Sequence, residues 1–352
     1  TVRLRVVPLG VVSDGLASGT PTAEKDVLFT SVPGETTLTI DLDLAAPQLW
    51  SPVSPFLYHL EAELLDGDGV IDGHKTRFGM RQLLIQNDGY LLNGHKLLVK
   101  STFFEGLYPT TLAAPPDETF VRRELQLAKD AGFNLIRPWR KPQPPIVYDL
   151  ADEIGILFVG TMPIEGMSRW PTMTPYAERR MKTEVRESVR RDRNHPCIVM
   201  WEIFNEISRP SLRRIKQRVS REARKLDPGR VILDESGGFA GGAFVYPPDS
   251  SEPSQINDVH HYPGAPFDQA GYDRMLALAK TDEQLMEMGI EPPRKPGAGK
   301  KTPRGFTDVS EMAWATLKSG ARRQIPGRFT HVSEIGYGSL PDLEANVEQY
   351  RR

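Results

Sequence analysis

Apolar and polar positions alternate with period two through Thr1-Val-Arg-Leu-Arg-Val-Val-Pro8, through Thr37-Leu-Thr-Ile-Asp-Leu-Asp-Leu44 and through Tyr58-His-Leu-Glu-Ala-Glu-Leu64. Such alternation predicts half-buried strands, and Leu65-Asp-Gly-Asp-Gly69 is a hairpin-type turn. No helical period interrupts the first 78 residues, so a small antiparallel sandwich is the simplest packing. Beyond residue 80 the period changes. Strand-like runs start near 97, 133, 156, 198, 231, 257 and 329, and amphipathic helices are predicted from Pro116 to Gly132, over about 144–153, 174–192 and 210–225. Asp117 is placed to cap the first helix, and Gly132 and Gly155 to end the first two. Strands alternating with helices over short links predict a parallel sheet under helical cover, with a (β/α)8 barrel as the best geometric fit. An open doubly wound sheet wants a Gly-rich phosphate turn after its first strand, and none follows. The division expected is 1–80 for the β domain and 81–352 for the barrel. The rhythm breaks at about 263–327, where Glu291-Pro-Pro-Arg-Lys-Pro-Gly-Ala-Gly-Lys-Lys-Thr-Pro303 reads as an inserted loop.

Composition narrows the class. The 352 residues carry a formal net charge of −2, which argues against a dedicated nucleic-acid surface and against an anionic membrane as partner. No apolar run has the length of a transmembrane helix. Cys197 is the one cysteine, so no intrachain disulfide forms. It sits in an apolar strand, where an inert core thiol is expected. The compartment stays open between cytoplasm and periplasm or secretion. The chain starts at Thr1 inside strand-like sequence, which reads as a processed terminus or a piece of a longer polypeptide.

The run His195-Pro-Cys-Ile-Val-Met-Trp-Glu-Ile-Phe-Asn-Glu206 carries the strongest chemical signal. It reads as one buried strand that delivers an amide and a carboxylate at its end. A glutamate there is a candidate for chemistry, and it reads equally as a helix cap or an arginine partner. Glu334 ends another strand. In a barrel both glutamates face the same mouth, and two facing carboxylates are the minimal apparatus for glycosidic cleavage. His260 and His261 are adjacent without a third ligand at metal-like spacing, so neither a metal nor a cofactor is expected.

Three groups of motifs carry a family resemblance. Leu49-Trp-Ser-Pro52, Pro55-Phe-Leu-Tyr58 and Phe78-Gly-Met-Arg81 form the first. Leu92-Asn-Gly-His-Lys96, Ala131-Gly-Phe-Asn-Leu-Ile-Arg137 and Tyr148-Asp-Leu-Ala-Asp-Glu-Ile-Gly155 form the second, and Asn194-His-Pro196 through Trp201 to Asn205-Glu206 the third. In order and spacing the chain resembles glycoside hydrolase family 2, which includes β-galactosidases, β-glucuronidases and β-mannosidases. The resemblance implies an immunoglobulin-like β-sandwich followed by a (β/α)8 barrel. It also implies retaining, exo-acting hydrolysis of terminal β-linked sugars, β-galactosidase-like by default. Glu206 then matches the general acid/base and Glu334 the nucleophile. Asn205 matches the residue that bonds the sugar 2-hydroxyl, and Arg137 the arginine that keeps the nucleophile ionised. Tyr262 resembles the tyrosine near the nucleophile. His260 reads as a sugar contact or as a structural histidine, and Trp139 as a sugar platform or as packing under a loop.

Some features depart from the pattern. Trp139 and Arg140 stand where a polar or histidine-containing turn is common, and Glu165 and Trp170 fit no fixed role. Only 18 residues follow Glu334, too few for a helix and an eighth strand, so the barrel is expected to be truncated before strand 8. The partners expected are a β-linked oligosaccharide or glycoside, and the remaining domains of a longer chain or a second copy of this one. The alternative reading is a non-catalytic carbohydrate-binding or scaffold protein that retains the fold.

Overall fold

The computed structural model describes residues 1–12, 15–86, 89–108, 110–164, 174–207, 210–237, 243–261, 269–270, 286–287 and 330–335. The N-terminal region is antiparallel. Strand β1 (Val2–Val12) pairs with β4 (Leu57–Asp66) on one side, and with β2 (Gly15–Ser18) and β3 (Ala23–Val27) on the other. Strand β5 (Gly69–Phe78) completes the sheet through the predicted hairpin, whose last pair is Asp66 with Gly69. Val6, Val7, Leu9, Leu57 and Tyr58 are buried. Thr37–Leu44, expected as a strand, forms no ladder. Its alternation survives as burial from residue 40 on, since Ile40, Leu42 and Leu44 are half-buried while Asp41 and Asp43, and also Leu38, are exposed. Period two therefore predicted the facing of the side chains but not a partner strand.

A three-stranded sheet, β6 (Leu83–Gln86), β7 (Gly89–Leu92) and β8 (His95–Leu97), connects this region to an eight-stranded one. The larger sheet contains β9 (Ser101–Phe104), β10 (Leu135–Pro138), β11 (Leu157–Thr161), β12 (Ile198–Asn205), β13 (Val231–Ser236), β14 (Ala243–Tyr246), β15 (Ser254–His261) and β16 (Thr330–Ile335), in sequential order. All neighbours are parallel except those of β14, which runs antiparallel to β13 and β15. Helices α1 (Glu118–Asp130), α2 (Pro145–Ile154), α3 (Ala177–Asp192) and α4 (Pro210–Leu226) lie between the strands in the chain. This is a partial (β/α) barrel, and among the described residues its path is open, with β9 and β16 at the two ends.

Local chemistry explains most of the boundaries. Asp117 caps α1 by accepting from the Phe120 amide at 2.8 Å, as predicted. The strand read as beginning at Leu97 is two strands, because the Asn134 amide takes over the backbone between them. Asn134 accepts from Lys100 N and donates to Leu98 O, each at 2.7 Å. Strand β14 escaped the reading of the sequence because Ala-Phe-Val-Tyr is only four residues long and follows Gly241 and Gly242.

The β domain seats itself against the N-terminal end of the barrel strands. Trp50 is fully buried and donates Nε1–H to Asp152 O at 2.8 Å. Arg77 bonds Asp149 Oδ1 at 2.6 Å and Glu153 Oε1 at 2.8 Å on α2. Arg81 donates to Pro196 O at 3.0 Å and also to Ile198 O, at the entry to β12. Gly155 closes α2 with φ 77°, and a Cβ there would lie 2.6 Å from Pro52 O. The left-handed cap and the tight approach of the β domain both require glycine.

Candidate active site

Strand β12 is built to be a fixed rail. Asp152 holds its start, accepting from the Cys197 amide at 2.9 Å and pairing with His195 Nδ1 at 2.7 Å. Every residue from Ile198 to Asn205 is buried. Trp201 lies across Gly160 of β11, where a Cβ would sit 2.3 Å from the indole ring. Its Nε1–H is fixed by Asp227 Oδ2 at 2.9 Å. A strand held this firmly presents its last residues with little freedom.

Those last residues carry a buried ionic cluster. Arg137, on β10, grips Glu202 in the two-pronged manner of a guanidinium on a carboxylate: Nε to Oε2 at 2.8 Å and Nη2 to Oε1 at 2.7 Å. The same Nη2 donates to Asn205 Oδ1 at 2.7 Å. Arg137 and Glu202 are each only 3% exposed. Burial raises the Glu202 pKa, and the Arg137 charge offsets this only in part.

Glu206 follows at φ 48°, in the left-handed region that a side chain with a Cβ seldom enters. Its turn is over-determined from β13: the Glu206 amide donates to Ser236 O at 2.9 Å, and the Ile207 amide to Glu235 Oε1 at 3.2 Å. Glu235 is steadied by Lys216 Nζ at 3.0 Å, which also pairs with Asp234 at 3.1 Å. Burial pushes the Asp234 carboxyl up to about 7 against the pull of that lysine.

The Glu206 carboxylate pairs with His260 Nδ1 at 2.8 Å and faces Arg140 Nη2 at 3.5 Å. His260 Nε2 lies 2.8 Å from Ser236 Oγ. An ionised carboxylate only accepts, so Nδ1 carries the proton of the bond to Glu206. Burial alone would raise the Glu206 pKa, but the His260 hydrogen bond and charge, with Arg140 and Arg137, outweigh it and hold the group below its ordinary value. Arg140 also has a positive φ, 51°, and its guanidinium lies over the Trp139 ring at 4.6 Å.

Among the residues predicted from sequence, Arg137, Asn205, Glu206 and His260 come together directly. Trp139 is half-buried and is occupied by Arg140 on its face and by Phe103 at 6.4 Å. Glu334 stands in β16, with its backbone in register beside His260. Tyr262, Glu165 and Trp170 lie outside the described residues. Glu202, Arg140 and Ser236 were missed. The signal for Glu202 was a charged residue in the middle of an otherwise apolar strand, a placement that demands a partner. Among the described residues, the grouping with metal-like closeness is Asp149, Asp152 and His195. Its groups already bond Arg77, the Cys197 amide and one another, at the end of the strands away from Glu206.

Two family models match the chain: "Glycosyl hydrolases family 2" over residues 12–81, and "Glycosyl hydrolases family 2, TIM barrel domain" over residues 114–247. The chain belongs to glycoside hydrolase family 2. The barrel match spans Arg137, Trp139, Asn205 and Glu206. A protein of Formosa agariphila named putative beta-glucuronidase is 32% identical over 208 residues, which is 56% of this chain and 19% of the relative. A beta-galactosidase of Vibrio cholerae is 30% identical over 207 residues, again 56% of this chain and 19% of the relative. The family 2 chain thus spans about a fifth of the length of these curated relatives. Among solved structures, a family 2 member from Bacteroides cellulosilyticus is 28% identical with a TM-score of 0.56, over 66% of this chain and 31% of that one. The β-glucuronidase of Ruminococcus gnavus, solved with a uronic isofagomine, matches at 24% identity and a TM-score of 0.55, over 66% and 37%. That second likeness speaks to the fold alone.

Proposed function

We propose that this family 2 chain carries the catalytic centre of a retaining, exo-acting β-glycoside hydrolase, β-galactosidase-like by default. The domains divide at about residue 80, with residues 1–80 as the immunoglobulin-like module and 81–352 as the catalytic barrel. One observation carries the reading: Glu206 is joined to His260, and His260 stands in register with Glu334 on the next strand. In this reading Glu334 attacks the anomeric carbon while Glu206 gives its proton to the leaving oxygen. Glu206 then takes a proton from water, which releases the sugar with its configuration kept. Such a pair works at a carboxyl separation of about 5–5.5 Å.

The proton inventory sets a condition. A general acid must hold its proton at the start of the cycle, yet His260 and Arg140 favour the carboxylate form of Glu206. Two nearby carboxylates oppose each other's ionisation, so an ionised Glu334 supplies the upward push. Asn205 serves the sugar 2-hydroxyl, and Trp139, next to Arg140, is the candidate sugar platform. The substrate is a β-linked oligosaccharide or glycoside, and the rest of a longer chain is the first candidate partner.

The test is hydrolysis of a panel of aryl β-glycosides by the full-length protein, with Glu334→Gln as control. Turnover that the substitution abolishes, with the product keeping the β configuration, is the expected result. No turnover on any sugar, with sugar binding indifferent to the substitution, would leave a non-catalytic binding protein instead.

A further inference from the structure

The catalytic reading assigns no task to Glu202, yet Glu202 organises the group that faces the sugar. The guanidinium of Arg137 has donors only, so the Asn205 atom at 2.7 Å from Nη2 is the carbonyl oxygen and the amide has one orientation. The other end, Asn205 Nδ2, is then directed away from Arg137. It is buried and has no hydrogen-bond partner among the described residues. A buried donor left without an acceptor is costly, unless a ligand supplies the acceptor. The orientation of Arg137 is set in turn by Glu202, which engages Nε and Nη2 together and leaves the planar fork one way to lie.

We propose that Glu202 is a positioning residue for substrate recognition: through Arg137 it locks the Asn205 amide with its nitrogen toward the sugar 2-hydroxyl. The inference rests on the catalytic reading for the identity of the sugar contact. It adds that the contact depends on a carboxylate touching neither substrate nor reacting atoms. Without the Glu202 charge, Arg137 turns within its pocket and the Asn205 amide loses its fixed orientation.

The experiment uses the full-length protein with an aryl β-glycoside and its 2-deoxy counterpart, and the readout is the ratio of the two kcat/KM values. Because both substrates are measured on one preparation, the fraction folded cancels. Glu202→Gln is expected to cut the ratio on the order of 10- to 100-fold, chiefly by slowing the 2-hydroxy substrate. Asn205→Ala is expected to give the same loss, and the two together no more than either alone. Glu202→Asp, which keeps the charge but withdraws it, falls between and replaces Glu202→Gln if that variant does not accumulate. A ratio left unchanged, or both rates falling in parallel, overturns the assignment and makes Glu202 merely structural. Should the wild type hydrolyse no glycoside, the catalytic reading fails on its own. The same ratio is then taken from binding of a sugar lactam with and without its 2-hydroxyl, where retained discrimination in Glu202→Gln, or no binding of either lactam, again overturns the proposal.

Discussion

Replacing Arg137 by methionine isolates the electrostatics of the site. The substitution keeps most of the side-chain volume and removes the cation. Glu202, 3% exposed, then loses hydrogen bonds of 2.7 and 2.8 Å to the cation that grips it. Breaking a buried ion pair by deleting one partner costs about 3–5 kcal/mol, because the remaining charge is stranded. Glu202 has an escape, since it can take up a proton. Burial already raises its pKa while Arg137 opposes the rise, so in Arg137→Met the pKa climbs further. The folded state then binds this proton more tightly than the unfolded chain does. Stability is greatest below the unfolded pKa of glutamate and falls by about 1.4 kcal/mol per pH unit as pH rises toward the folded value. The variant is therefore least stable relative to wild type at neutral and alkaline pH, and the gap narrows on acidification. Adding Glu202→Gln removes the stranded charge and is expected to restore about 2 kcal/mol or more at neutral pH. Urea unfolding of the full-length protein across a pH series, followed by tryptophan fluorescence, measures both quantities. A double variant no more stable than Arg137→Met, or a gap independent of pH, would refute the reasoning.

Further outcomes follow from single contacts. His260→Leu deletes the hydrogen bond and charge that lower the Glu206 pKa, so the alkaline limb of the kcat/KM profile moves to higher pH; a downward move would contradict the pairing. Gly155→Ala forces a Cβ to 2.6 Å from Pro52 O at a φ of 77°. It is expected to cost about 2–4 kcal/mol in a denaturation experiment, from the left-handed penalty plus overpacking, and a loss under about 1 kcal/mol would show that the β domain yields freely. Asn134→Ala deletes two side-chain bonds to the backbone and is expected to cost about 1 kcal/mol or somewhat more. Hydrogen exchange around Leu98–Lys100 should quicken, and exchange as slow as wild type would mean that other groups hold that bend.

How much was legible beforehand depended on whether the cause was local. The Asp117 cap, the Gly155 stop, the Asp66–Gly69 hairpin and the parallel alternation are set within a few residues of chain, and all are present. Thr37–Leu44 shows the limit of that reasoning, for alternation decides which side chains turn inward but a ladder needs a neighbour. Strand β14 shows another, because four apolar residues after a glycine pair hold too little periodicity to register, yet they insert an antiparallel strand between β13 and β15.

In the site the same division falls between identity and wiring. Glu206 and Asn205 stood out because polar groups at the end of an apolar strand require a reason. What a one-dimensional reading could not supply is who holds whom across strands. Arg137, matched by resemblance to the arginine that keeps the nucleophile ionised, also bonds Glu202 and Asn205, 65 and 68 residues away in sequence. His260, left between a sugar contact and a structural residue, is bonded at one nitrogen to Glu206 and at the other to Ser236. Both placements serve one electrostatic need. A buried carboxylate has to be balanced by its surroundings, and Glu206 meets two positive or proton-donating neighbours, His260 and Arg140, against its own burial. Glu202 gives Arg137 a counter-charge, so that this guanidinium presses less on Glu206 than a free one would. The mid-strand charge of Trp-Glu-Ile-Phe-Asn-Glu thus tempers the positive field around Glu206.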